Sequence, residues 1–299
     1  MKLGMIGLGR MGSGMVERLR RDGHEIATYD PRVESTAGTL TELVEQLERP
    51  RALWIMVPSG EPTEETFDEL LRLVESDDVI VDGGNSNFED SQRRYADARE
   101  RGVHFIDVGV SGGVWGLEVG FCLMAGGDDE PCARLDPILR CLAPADGYAH
   151  VGPSGAGHYC KMIHNGIEYG MMQAYAEGFE IMQRSEFPFD LQEVAGIWRY
   201  GSVVRSWLLE LLHAAFEKDG HHLERIAPYV EDSGEGRWTL AEAVKLNTPA
   251  PVLSAALFAR FASRQDFSFA AKVNAALRNQ FGGHAIRAVE QAMEGSDPR

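Results

Sequence analysis

Lys161, His164, Asn165 and Glu168 fall at i, i+3, i+4 and i+7 in Lys161-Met162-Ile163-His164-Asn165-Gly166-Ile167-Glu168-Tyr169. On a helix of about 3.6 residues per turn these four line one stripe. An amine, an imidazole, an amide and a carboxyl on one face of an otherwise apolar run are costly to bury without a polar partner. A polar substrate fits that need, and an amine with a carboxyl nearby is equipment for acid–base chemistry. The plainer alternatives are a surface ion network for Lys161 and Glu168, and satisfied core polar groups for His164 and Asn165.

A second motif opens the chain. Residues 2–6 form a short apolar run suited to a buried parallel strand, Gly7-Leu8-Gly9-Arg10-Met11-Gly12 follows at once, and residues 13–21 read as a helix. This is GxGxxG in its strand–turn–helix setting. Gly7 permits the tight turn, Gly9 lets the backbone approach a pyrophosphate, and Gly12 lets the helix pack closely. The helix N-terminus offers unpaired N–H groups and a positive dipole end to phosphates. A second strand, residues 24–29, ends in Asp30, 18 residues past Gly12. That is close to the spacing at which a carboxylate bonds the adenosine ribose hydroxyls and repels a 2′-phosphate. NAD is therefore expected over NADP, with Arg32 the residue that could reverse the preference. Val57 and Pro58, at the end of a third strand, and Asn85 complete the expected cofactor contacts. With hydride transfer at hand, the polar stripe becomes acid–base chemistry coupled to oxidation.

The elements that must position these groups alternate. Apolar runs at residues 52–57, 79–82, 105–110 and 121–125 read as strands, with helical patterns at 64–75 and 90–101 between them. Such alternation builds a parallel, doubly wound sheet. Gly152-Pro153-Ser154-Gly155 breaks the pattern. Residues 156–184 then read as one long helix, and from Leu191 on the chain reads as helices separated by Pro188, Pro228 and Pro249-Ala250-Pro251; residues 295–299 form a polar tail. The expectation is an α/β, Rossmann-type doubly wound sheet over residues 1–154, followed by an all-α domain over 155–299 for substrate binding and oligomerisation. Two loops at strand ends should carry site residues, since ligands bind at the carboxyl ends of strands in open α/β sheets. They are Asp82-Gly83-Gly84-Asn85-Ser86 and Ser111-Gly112-Gly113, the latter able to offer a hydroxyl and backbone N–H groups to a carboxylate. A tight turn would explain their glycines alone.

Composition sets the outer limits. The 299 residues are 44% hydrophobic and 25% charged, as in a soluble globular protein. A net charge of −17 argues against nucleic acid or an anionic membrane as partner. It also requires locally positive pockets if dinucleotide and substrate are anions. Cys122, Cys132, Cys141 and Cys160 show no metal-like pairing with histidine, and no signal peptide or bilayer-length apolar run is present. Reduced, partly buried thiols in a cytoplasmic protein are expected. His221-His222 lacks a matching ligand pattern and is expected at the surface.

Together these motifs resemble the 6-phosphogluconate dehydrogenase family, within the β-hydroxyacid dehydrogenases. The wider group shares the N-terminal GxGxxG, the Ser-Gly-Gly loop and the Lys161-x-x-x-Asn165 helix. Asp82 to Ser86, the presence of His164 and Glu168, Phe258-Ala259-Arg260, and Arg278-Asn279-Gln280-Phe281-Gly282-Gly283-His284 narrow the match. The chain is shorter than the long form and resembles the short-chain subfamily. It has Ser233-Gly234-Glu235-Gly236 before Arg237-Trp238-Thr239, where long-chain members carry Lys-Gly-Thr-Gly. Arg260, Arg278 and Arg237 are left to neutralise a phosphate.

The resemblance implies oxidative decarboxylation of 6-phosphogluconate to ribulose 5-phosphate, as in gluconate metabolism and the pentose phosphate pathway. Lys161 and Glu168 would be catalytic. Asn85, Ser111, Gly112, Gly113, His164, Asn165, Tyr169, Arg260, Arg278 and His284 would bind the sugar-acid phosphate. The last two would reach into a neighbouring subunit, so a homodimer or higher homo-oligomer with shared sites is implied. No metal is expected. A non-decarboxylating β-hydroxyacid dehydrogenase and an NAD-binding protein without chemistry are the rival readings.

Overall fold

The computed structural model describes residues 1–287. Its contacts divide the chain into two units, one of Met1–Glu168 with Gly234–Asn247, the other of Tyr169–Ser233 with the chain from Thr248 on.

The first unit is built on seven strands: β1 (Lys2–Ile6), β2 (Glu25–Tyr29), β3 (Ala52–Ile55), β4 (Val79–Asp82), β5 (His104–Ser111), β6 (Cys122–Gly126) and β7 (Tyr148–Gly152). They lie in the order β2-β1-β3-β4-β5-β6-β7. The central strands read as continuous apolar runs because both faces are covered. Alternate residues serve opposite faces. Ala52 and Trp54 of β3 join Met15 and Leu19 of helix α1 (Arg10–Arg21) and Leu135 and Leu139 of α6 (Asp129–Leu142). Leu53 and Ile55 join Leu43 of α2 (Leu40–Glu45), Phe67 and Leu70 of α3 (Glu61–Leu73) and Ala98 of α4 (Phe88–Glu100). The sheet is thus doubly wound, as the alternation predicts. One pairing departs from the parallel expectation: β6 runs antiparallel to β5, with Ser111 opposite Cys122. The link between them carries a short 3-10 turn (Gly113–Trp115) and α5 (Gly116–Val119), too little chain for a crossover helix. The third strand stops at Ile55, which leaves Val57 and Pro58 in the loop at its carboxyl end.

Helix α7 (Ala156–Gln183) is 28 residues long and passes from the first unit into the second. Helix α10 (Glu235–Lys245) belongs to the first unit. The second unit contains α8 (Leu191–Trp198), α9 (Trp207–Asp219), α11 (Pro251–Ala262) and α12 (Phe269–Gly282). Asp190, Ser206 and Ser268 cap α8, α9 and α12 by accepting from the backbone N–H of Glu193, Leu209 and Ala271. Phe179, Leu191, Ala195, Leu209 and Phe216 form this unit's core. Among the described residues no helix is long and apolar enough to cross a membrane. The four cysteines are free; Cys132 is buried, Cys141 partly so, and Cys122 and Cys160 are exposed rather than partly buried.

Candidate active site

The glycine-rich loop joins β1 to α1 as its sequence requires. Gly7 stands at φ 91°, and a Cβ there would lie 2.5 Å from the Met56 carbonyl oxygen. A Cβ on Gly12 would lie 2.1 Å from the Gly7 carbonyl oxygen. Gly9 differs: nothing lies within 4 Å of its would-be Cβ, so the backbone there is open to approach. Helix α1 starts behind Gly9 with no side-chain cap, which leaves its first N–H groups available to an anion. Asp30, just past β2, accepts from the backbone N–H of Leu8 at 2.7 Å and of Arg32 at 2.8 Å. Its carboxylate thereby holds the loop and retains lone pairs for a ribose hydroxyl. A cleft of about 590 Å³ opens beside Leu8, Ser13 and Thr28. The open Gly9 backbone and the uncapped helix end fit a dinucleotide.

The loop after β4 is anchored by its own Asp82 together with Arg94, which the sequence did not single out. Buried Asp82 accepts from Gly84 N at 3.0 Å, Ser86 Oγ at 2.8 Å and Arg94 Nη1 at 2.9 Å. Arg94, 1% exposed, also donates to Glu64 Oε2 through Nε at 3.0 Å and Nη2 at 2.9 Å. Hydrogen bonds from Arg93 and Arg94 hold the Glu64 carboxyl low, at about 2, against a counteracting effect of burial. Asn85 stands half-buried at the tip of this braced loop.

The polar stripe is brought to the sheet by close packing of backbone on backbone. A Cβ on Gly157 would lie 2.4 Å from both the Asp107 and Met124 carbonyl oxygens. A Cβ on Gly109 of β5 would lie 2.5 Å from Lys161 Cβ. Buried Asp107 fastens the start of α7, accepting from Gly155 N at 2.6 Å and His158 N at 2.9 Å. Its pKa is raised, chiefly by burial.

Lys161 is 8% exposed, and its amine has neither a hydrogen bond nor an ion pair among the described residues. Burial pushes its pKa down, while Glu168, Glu235 and Cys122 pull the other way. His164 Nε2 lies 3.4 Å from Ser111 Oγ, and His164 Nδ1 lies 2.9 Å from Asn165 Oδ1 and 3.8 Å from Glu168 Oε2. Lys161, His164, Asn165, Glu168 and Ser111 therefore converge. Lys161 and Asn165 form the buried side of the stripe, His164 and Glu168 its partly exposed side. Gly112 and Gly113 follow Ser111 at φ 127° and 53°.

Glu235 joins this group without having been expected there. It is 1% exposed and accepts from Asn165 Nδ2 at 2.8 Å. Helix α10 reaches α7 because Gly166 leaves room for Thr239, whose Oγ1 donates to the Met162 carbonyl at 2.9 Å. The only sequence signal was a glutamate where the resemblance leads one to expect a threonine.

The remaining expected residues lie in the second unit. The Tyr169 hydroxyl accepts from Ser233 N at 3.1 Å. The Arg260 guanidinium stacks 3.6 Å from the Tyr169 ring centroid and donates to the Glu231 carbonyl at 2.7 Å. Arg278, on α12, and His284, just past it, are exposed.

Comparison with known proteins gives one answer along the chain. Residues 2–152 match the NAD binding domain of 6-phosphogluconate dehydrogenase, and residues 157–296 match the 6-phosphogluconate dehydrogenase C-terminal domain. The chain is 43% identical over 299 residues to Bacillus subtilis YqeC, itself only provisionally assigned as a 6-phosphogluconate dehydrogenase, covering 95% of this chain and 99% of that one. It is 41% identical over 297 residues to an NAD(+)-dependent, decarboxylating 6-phosphogluconate dehydrogenase of Haloferax volcanii, covering 96% and 98%. The solved Plasmodium falciparum 6-phosphogluconate dehydrogenase superposes with a TM-score of 0.81 at 28% identity, covering 96% of this chain and 66% of that longer one. Fold, site and comparisons agree that this chain belongs to the 6-phosphogluconate dehydrogenase family.

Proposed function

We propose that the protein oxidatively decarboxylates 6-phosphogluconate to ribulose 5-phosphate and carbon dioxide, with NAD preferred, as a step of the pentose phosphate pathway. The observation that carries this is Lys161, a buried amine with a lowered pKa and no ion pair, facing Glu168 along one helix. Such an amine can be neutral when substrate binds and take the proton of the hydroxyl on the third carbon. When bound, the nicotinamide supplies the hydride acceptor. Lys161, now an ammonium, stabilises the enolate that develops as the β-keto acid loses carbon dioxide. Glu168 then protonates the first carbon of the enediol. Asn85, Ser111, Gly112, Gly113, His164 and Asn165 orient the sugar acid. Arg260, stacked on Tyr169, takes the phosphate.

The cofactor preference rests on Asp30, whose carboxylate opposes a 2′-phosphate, and accords with the NAD(+)-dependent name of the Haloferax relative. Assembly with a second copy rests on α12. Phe269, Val273, Leu277 and Phe281 repeat every four residues along it, yet α12 buries nothing within the described chain. A helix of 14 residues is marginal in water without a covered apolar face. A neighbouring copy would cover it and receive Arg278 and His284 in its own site, making the helical region both substrate-binding and oligomerising.

The test is NADH formation from 6-phosphogluconate with carbon dioxide captured in parallel and gluconate as control. NADH without carbon dioxide would favour a non-decarboxylating β-hydroxyacid dehydrogenase. Equal rates with gluconate would remove the phosphate from the proposal.

A further inference from the structure

Among the described residues the Glu235 carboxyl accepts one hydrogen bond, from Asn165 Nδ2 to Oε1, and its other oxygen, Oε2, is buried without any donor. A carboxyl in that state is costly, so a chain that keeps one there derives something from it. The direction of the bond is informative. A carboxylate can only accept, so the Asn165 amide must turn its NH2 group to Glu235. That leaves Asn165 Oδ1, an acceptor, 2.9 Å from His164 Nδ1. His164 Nδ1 must then carry the proton, and Nε2 must be the acceptor facing Ser111 Oγ.

We propose that Glu235 is a positioning residue: by fixing the Asn165 amide it holds His164 as the Nδ1–H tautomer, with Nε2 presented as an acceptor. A hydroxyl from Ser111 or from the substrate can then donate to Nε2. An Asn165 amide free to turn would offer NH2 to Nδ1 and drive His164 to the opposite tautomer, placing a donor where an acceptor is needed. Glu168 Oε2, 3.8 Å from Nδ1, is the competing influence, since it also favours a proton there. Two carboxyls on different helices thus bear on one imidazole, and the closer contact with Nδ1 is that of Asn165, at 2.9 Å against 3.8 Å for Glu168. The consequence for catalysis rests on the proposed function; the tautomer does not.

Nitrogen-15 NMR of the histidine rings decides the matter. Spectra are recorded on the full-length protein at about pH 8.5, above the ordinary imidazole range, and His164 is assigned from a His164→Gln variant. The unmodified protein should show His164 with Nδ1 protonated and Nε2 bare. Glu235→Gln, which keeps an acceptor for Asn165, should preserve that pattern and most of the activity. Glu235→Met, which removes the acceptor, should reverse or average it. Its kcat should fall about 10- to 100-fold, as expected when an orienting partner is lost, with NAD affinity unchanged. A wild-type Nε2–H tautomer overturns the proposal, and that measurement stands even if Glu235→Met fails to fold. A wild-type pattern that survives Glu235→Met overturns it in favour of Glu168. If the tautomer behaves as stated and 6-phosphogluconate is not oxidised, the functional proposal fails and this one stands.

Discussion

Gly109→Ala should separate position from chemistry at Lys161. Gly109 lies inside β5, and its backbone is not in the left-handed region, so alanine meets no torsional objection. The objection is steric. The new methyl would sit 2.5 Å from Lys161 Cβ and 2.8 Å from the Gly157 carbonyl oxygen. Comfortable carbon–carbon contact begins at about 3.5 Å, so α7 must lift by about 1 Å. Overpacking of this kind costs about 1–3 kcal/mol, which lowers Tm by roughly 2–12 °C in a unit of this size. A 1 Å error in a reacting group costs about 100-fold in rate. Gly109→Ala should therefore remain folded at 25 °C, bind NAD nearly normally and lose about two orders of magnitude in kcat/KM. Gly178→Ala is the control on the same helix, where nothing lies within 4 Å of the added carbon. It should gain about 0.5–1 kcal/mol in stability from helix propensity and leave kcat/KM unchanged. A Gly109→Ala enzyme within about threefold of the parent would refute the idea that close packing on β5 sets the position of Lys161.

The remaining expectations concern charge and assembly. If neutral Lys161 is the base, kcat/KM should rise with pH through a limb whose midpoint lies below the ordinary lysine value of 10.5; Lys161→Met should abolish both oxidation and decarboxylation. Because the folded-state pKa is depressed, the buried ammonium is a stability cost, complete below the folded pKa and gone above 10.5. Lys161→Met should accordingly raise Tm at pH 7, with the gain vanishing as pH passes 10.5, as thermal melts across pH would report. Arg94→Leu leaves Asp82 buried and uncompensated and should cost about 3–5 kcal/mol in denaturant unfolding. Asp30→Asn should narrow the ratio of kcat/KM for NAD over NADP, and an unmodified enzyme that prefers NADP would assign the decision to Arg32. Mixing inactive Lys161→Met and Arg278→Ala subunits should restore part of the activity in mixed dimers, and failure with proven subunit exchange would confine Arg278 to its own chain.

Local patterns were the most readable part of the fold. β1 and β4 are buried on both faces and announce themselves as apolar runs bounded by glycine or charge. β7 does not: three of its five residues are exposed, as befits a strand at the sheet edge, so Tyr148–Gly152 carries no apolar run. Helix α6 is a different kind of omission. Cys132, Leu135, Ile138, Leu139 and Leu142 keep a helical spacing and are all buried. Pro131 and Pro137 obscure it, although proline in the first turn forfeits no hydrogen bond and one inside is tolerated when the buried face is strong enough. The antiparallel turn of β6 had no local signal, because strand direction depends on what the preceding connection can span.

The candidate site divides along the same line. Residues acting within one segment, such as Lys161 with Glu168, could be paired by helical spacing alone. Glu235 could not, since it stands 70 positions from Asn165 and meets it only because Gly166 admits Thr239 and lets α10 lie against α7. Read along the chain, Glu235 looked like a loss, an acid where the resemblance led one to expect a threonine for phosphate, just as Ser233 stands where it led one to expect a lysine. In the fold it is an acceptor for the amide beside the imidazole, and its charge pulls the Lys161 pKa upward against burial. The same substitution thus bears on two properties. It removes a hydroxyl donor from the stretch the resemblance assigns to phosphate, and it adds order among the groups proposed to bind the sugar acid. A Glu235→Thr exchange tests whether the two are linked. If they are, KM for 6-phosphogluconate falls while kcat falls with it. A drop in kcat with KM unchanged would show that Glu235 serves orientation alone, and a drop in KM with kcat unchanged would show that it bears only on the phosphate.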